Sequence, residues 1–96
     1  MIRNFGDKAT RDVYDGEGSR HSRQFPKLLH GKIVRLLDQI NAAPNVEVLK
    51  APPGNRLEKL RGDLKDFWSV RVNDQWRIIF KWENGDAIDV KVTDYH

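Results

Sequence analysis

Residues 68–92 read Trp-Ser-Val-Arg-Val-Asn-Asp-Gln-Trp-Arg-Ile-Ile-Phe-Lys-Trp-Glu-Asn-Gly-Asp-Ala-Ile-Asp-Val-Lys-Val, and the period of two in this stretch decides the fold. Trp68, Val70 and Val72 share one parity, as do Trp76, Ile78, Phe80 and Trp82, and then Ile88, Val90 and Val92. Alternate residues of a strand project to opposite faces, so each set predicts a strand with one buried face. Asn73-Asp74 and Asn84-Gly85-Asp86 are the turns between them, and Asn-Gly is the strongest short hairpin signal. Upstream, residues 57–60 supply a further strand, joined to Phe67 across Arg61-Gly62-Asp63. The pattern predicts an antiparallel meander of four strands.

The helices that cover it lie on the N-terminal side. Leu28, Leu29, Ile33, Leu36, Leu37 and Ile40 recur at spacings of three and four, one apolar stripe on a helix starting around Phe25-Pro26 and ending at Asn41 to Pro44. Asp7 caps a shorter helix reaching Tyr14, with Val13 and Tyr14 inward. Ile2, Asn4 and Phe5 read as a short opening strand or an extended lead-in, and the polar, glycine-containing segment 15–24 is read as a mobile loop. Pro52-Pro53-Gly54-Asn55 is a rigid connection ahead of the strands. The result is an α+β domain over 1–96, with N-terminal helices on one face of an antiparallel sheet. Leu36, Leu37 and Ile40 should meet Trp68, Val70, Ile78, Phe80, Val90 and Val92. Trp68 and Trp76 are read as packing residues, with Trp82 partly exposed.

Composition bounds the function. Three Trp, four Phe and two Tyr in 96 residues exclude a wholly disordered chain, and the lack of cysteine excludes disulfides and thiolate metal sites. No run has the length and apolarity of a membrane span or signal, so a cytoplasmic location is expected. The formal charge is +3, yet residues 1–60 hold 11 Lys+Arg against 7 Asp+Glu while residues 61–96 hold 6 against 7. Arg20, Arg23, Lys27, Lys32 and Arg35 follow one another without an intervening acid. Such a stretch neutralises phosphates, although an ordinary solvated helix face would carry the same residues.

The parity opposite the core holds Leu57, Lys59 and Arg61, then Ser69 and Arg71, then Arg77, Ile79 and Lys81, then Asp89, Lys91 and Thr93. A face bearing Lys59, Arg61, Arg71, Arg77 and Lys91 presents positive charge. Antiparallel sheets commonly leave one face wet, so polarity alone is unremarkable there; arginine suits bidentate contact with phosphate. His21 and His30 lie among cations with no carboxylate or thiol constellation, so no metal is expected. Gly16 and Gly18 lack the following Gly-Lys-Ser/Thr of a phosphate loop.

Pro52-Pro53-Gly54-Asn55-Arg56-Leu57-Glu58, Leu60-Arg61-Gly62-Asp63, residues 69–80 and the closing Asp94-Tyr95-His96 resemble HigB-type toxins of the RelE/ParE superfamily. The resemblance runs over nearly the full length. It implies a microbial-RNase-like fold and cleavage of mRNA in the ribosomal A site. It also implies a HigA-type helix-turn-helix antitoxin, through which alone operator DNA would be contacted. Metal-free RNA cleavage needs a base for the 2′-hydroxyl, an acid for the 5′-oxygen and positive charge at the phosphorane. No cofactor is expected. His96 is the proton-transfer candidate, since imidazole titrates near neutrality. Asp94 would orient it or serve as a second base, and the resemblance places Tyr95 in the site. Arg61, where the family commonly has lysine, and Arg77 would stabilise charge; Lys59, Arg71, Lys91, Arg20 and Arg23 would hold the RNA. Glu58 stands where one branch of the family has a catalytic histidine, and strand parity turns it away from Lys59 and Arg61. Two other readings stay open: a ParE-like gyrase inhibitor, and an RNA-binding module without catalysis.

Overall fold

A computed structural model describes residues 1–94. Helix α1 is Lys8–Tyr14, and the Asp7 carboxylate accepts from the Thr10 amide at 2.9 Å, the predicted N-cap. Helix α2 is His30–Ala42. The strands are β1 (Glu58–Lys59), β2 (Phe67–Arg71), β3 (Trp76–Glu83) and β4 (Asp86–Asp94), antiparallel in the order β1-β2-β3-β4. This is the predicted α+β arrangement. Ile33, Leu36, Leu37 and Ile40 of α2 join Val70, Val72, Ile78, Phe80, Val90 and Val92 in one buried cluster. Burying each such side chain contributes roughly 1.5–3 kcal/mol. Trp68, Trp76 and Trp82 are half-buried against the cluster, Trp76 meeting Phe25 edge-on at 5.4 Å.

Three local expectations are corrected. Helix α2 begins later than Phe25-Pro26, because Lys27–Leu29 forms a 3₁₀ turn first. That turn winds about three residues per revolution, so Leu28 drops out of phase with the stripe and is 97 % exposed. Strand β1 spans only Glu58–Lys59, not 57–60. Finally, β4 contains a bulge: Ile79 pairs with Lys91 but Lys81 pairs with Ile88, and Asp89 takes φ +53. One extra residue shifts the parity. Ala87 therefore enters the core in place of Ile88, which pairs on the other side with Lys81.

The N-terminal lead-in explains the bulge. Ile2 and Phe5 bridge in parallel to Ala87 and Val90, through four backbone hydrogen bonds of 2.8–3.2 Å. The Asn4 side chain donates to the Asp89 carboxylate at 2.8 Å and accepts from the Asp89 amide at 3.1 Å. Further along β4, the buried Thr10 hydroxyl accepts from the Val92 amide at 2.9 Å. The free edge of β4 is thereby satisfied by α1 and by the segment before it.

Hydroxyls tie down the polar 15–24 segment. Ser19 Oγ donates to Asp12 at 2.6 Å, and the buried Ser22 Oγ donates to the Glu17 carbonyl at 2.8 Å. The connection 52–55 is fastened to α2 through Asn55, whose buried amide donates to the Leu49 and Ala51 carbonyls and to Gln39 Oε1, each at 3.2 Å. Gln39 in turn donates to the Ala51 carbonyl at 2.7 Å.

Candidate active site

Cross-strand partners of an antiparallel sheet lie on the same face, so the register states which residues share the side turned away from α2. One row is Glu58, Ser69, Ile79 and Lys91; the next is Arg71, Arg77 and Thr93. Arg71 and Arg77 are therefore neighbours, at the end of the sheet where the Asn73-Asp74 turn joins β2 to β3. Two like charges directly opposed would repel. The turn counters this: Arg71 donates to the Asp74 carboxylate, and Arg77 Nη1 donates to the Asn73 carbonyl at 2.8 Å. Asn73 can do so because its own side chain accepts from the Gln75 and Trp76 amides at 2.9 and 2.8 Å, holding the turn shut. A turn that looked like a simple reversal thus positions both guanidiniums.

This face is less wet than predicted. Leu60, Ser69 and Ile79 are all buried although they face away from α2, and Ile79 and Leu60 lie outside the main core cluster. Arg71, Arg77, Lys81 and Lys91, all half-buried, surround this strip, as expected where cationic side chains lay their stems over apolar surface and keep the charges in water. Lys81 also sits over the Phe67 ring at 5.3 Å. Ser69 Oγ is buried with no hydrogen-bond partner among the described residues.

The placement of Lys59 and Glu58 is the main correction. Lys59 pairs with Trp68, on the core parity, with its ammonium 5.5 Å above the Trp68 ring. Glu58 pairs with Ser69 and so shares the face of Arg71 and Arg77. Alternation within a two-residue strand cannot set its own parity; only pairing with β2 does. Arg61 lies beyond β1, exposed and extended, leading into the 3₁₀ turn Gly62–Leu64. No side-chain hydrogen bond or ion pair holds it among the described residues.

Asp94 pairs with Trp76, which puts it on the opposite side of the sheet from Arg77 but at the same end. It is exposed and accepts from Gln75 Nε2 at 3.0 Å. Tyr95 and His96, the remaining candidates, lie outside the described residues. Arg20 and Arg23 belong to the helical layer; Arg23 lines a largely apolar cavity of about 750 Å³ with Phe25, Lys27 and His30. The structure thus brings together Arg71, Arg77 and Lys91, and leaves Lys59, Arg20 and Arg23 apart from them.

Residues 3–96 match the family of RelE-like toxins of type II toxin–antitoxin systems, HigB. The chain belongs to that family. Toxin HigB-1 of Vibrio cholerae is 39 % identical over 89 residues, covering 93 % of this chain and 92 % of that protein. An uncharacterized protein of Haemophilus influenzae is 41 % identical over 70 residues, covering 73 % and 68 % of the two chains. Endoribonuclease HigB of Proteus vulgaris is 44 % identical over 41 residues, covering 43 % and 45 %. Membership of a toxin–antitoxin family implies an antitoxin as partner. Neither a gyrase inhibitor nor a non-catalytic RNA-binding module is favoured by these similarities. Among the described residues, no helix is long and apolar enough to cross a membrane.

Proposed function

We propose that this HigB-like toxin is an endoribonuclease that cuts mRNA on the ribosome and so arrests translation and growth. The observation that carries the reading is the family match over 3–96, which takes in the closing Asp94-Tyr95-His96, together with the similarity to the Proteus endoribonuclease. The two guanidiniums at the sheet end where Asp94 lies support it.

In this reading a base takes the proton of a 2′-hydroxyl as that oxygen attacks phosphorus. The bond from phosphorus to the 5′-oxygen breaks, and an acid returns a proton to that oxygen. The products are a 2′,3′-cyclic phosphate and a free 5′-hydroxyl, and no metal is required. His96 is the principal proton carrier and Asp94 orients it or acts as a second base. Tyr95 stacks on a base or donates to phosphate. Arg77, fixed by its bond to the Asn73 carbonyl, and Arg61 meet the charge that grows on the phosphorane. Arg71 and Lys91 lie beside Arg77 on the neighbouring strands β2 and β4, and Lys59, Arg20 and Arg23 make outlying contacts with RNA. The chain acts as one domain over 1–96, in the cytoplasm. Its antitoxin is a HigA-type helix-turn-helix protein through which it reaches operator DNA.

The test is primer extension on translated mRNA after induction, paired with cleavage in vitro with and without ribosomes. Discrete cuts that need ribosomes are expected. His96→Ala should lower cleavage by about 100- to 10,000-fold while the variant still folds and binds antitoxin. A fully toxic His96→Ala variant would remove the catalytic assignment.

A further inference from the structure

Two of this protein's cavities are each lined, among the described residues, by three Lys or Arg side chains, and they differ in how those cations are held. The first is walled by Arg3, Lys8 and Arg11, with Asp7 in its lining. Arg3 is bound to Asp86 at 3.1 Å and Lys8 to Asp12 at 3.2 Å. Its charge is largely consumed within the chain. The second cavity, of about 460 Å³, lies between α2 and the 52–55 connection and is walled by Lys32, Arg35 and Arg71. Among the described residues, no carboxylate lines it. Lys32 and Arg35 are exposed, one turn apart on α2, and make no ion pair or side-chain hydrogen bond among the described residues.

The floor of this second cavity is preorganised. Gln39 and Asn55 line it, and their amides are committed to each other and to the Leu49 and Ala51 carbonyls. Neither is free to fold outward over the cations. Arg71 lines the third side; its guanidinium is paired with Asp74, as Arg3 and Lys8 are paired in the first cavity, but one such bond leaves further donors of its five. Arg71 also pairs with Arg77 on the outer sheet face. It is therefore common to the cavity and to the proposed cleavage face.

We propose that the Lys32–Arg35–Arg71 cavity binds a phosphate of the RNA strand next to the segment being cut. The inference rests on the ribonuclease reading and extends it by giving the strand a direction, from Arg77 across Arg71 to α2. A polyanion with one charge per nucleotide can occupy both places at once. An acidic protein segment could use the cavity, but nothing would then connect it to Arg77.

The probe is a fluorescein-labelled single-stranded RNA, bound to the full chain across a salt series. On single strands each neutralised phosphate contributes about 0.7 to the slope of log affinity against log salt. Lys32→Gln with Arg35→Gln should lower that slope by about 0.7, and reduce affinity on the order of tenfold at low salt. Arg11→Gln with Lys50→Gln makes the same change in formal charge elsewhere and should shift the slope far less. Both α2 positions are exposed, and Lys32→Gln alone keeps the measurement decisive should the double variant unfold. An unchanged slope and affinity in the α2 variants overturns the inference, whether or not antitoxin binding falls; so does an equal effect of the control pair. Cleavage of translated mRNA by the unaltered chain is measured alongside. A reduced slope without any cleavage would refute the nuclease reading and leave the phosphate site standing.

Discussion

Asp12 is a carboxylate with almost no exposure, and the single residue whose titration has most to say about stability. The Ser19 hydroxyl, 2.6 Å away, and the Lys8 ammonium, 3.2 Å away, hold its pKa below the ordinary aspartate value of 3.8 against the opposing cost of burial. A depressed folded value means that the stabilisation is complete above the unfolded value and drains away as pH falls through the lower one. Asp12→Asn should therefore melt below the wild type at neutral pH, with the two converging as pH falls through the depressed folded value; thermal melts across the acid range check this. Parallel curves would show that Asp12 is not the titrating group. At the same scale, the candidate site was legible in part. Arg71 and Arg77 could be placed on one face by alternation, since each belongs to a strand long enough to show a period of two. Lys59 and Glu58 could not, because the two-residue strand takes its facing from a partner.

Among the elements, β4 depends most on what lies beside it. Thr10 of α1 is fully buried so that its hydroxyl can receive the Val92 amide. Thr10→Val keeps the shape and removes the acceptor, leaving a buried donor unsatisfied, a loss of about 1–3 kcal/mol. Equilibrium unfolding in urea reads this as a lower midpoint at unchanged slope; an unchanged midpoint would mean that water replaces the hydroxyl. The Asn84-Gly85 hairpin needed no such context. Asn84 and Gly85 both take positive φ, the conformation their chemistry tolerates, and the turn appears where the dipeptide indicated it. Helix α2 shows the limit of periodicity. Its stripe from Ile33 to Ile40 is buried as read, yet Leu28 obeys the same spacing and lies in solvent, because the first turn is wound differently.

In the whole molecule, residues far apart in the chain close the sheet. Backbone bonds from residues 1–6 cover the β4 edge, and the first amino group and Arg3 meet Asp86 at 3.4 and 3.1 Å. Deleting residues 1–6 should lower the melting temperature and promote association through the uncovered edge. Calorimetry with light scattering tests both, and a monomer of unaltered stability would show the lead-in to be dispensable. Fold class, hairpin and core strands follow from the sequence by itself, because periodicity and turn chemistry are properties of neighbouring residues. The bulge at Asp89, the facing of Glu58 and the joining of Lys32, Arg35 and Arg71 around one cavity were decided only by tertiary structure. Each depends on which distant segment supplies a hydrogen bond or a wall, and spacing along the chain carries no such information.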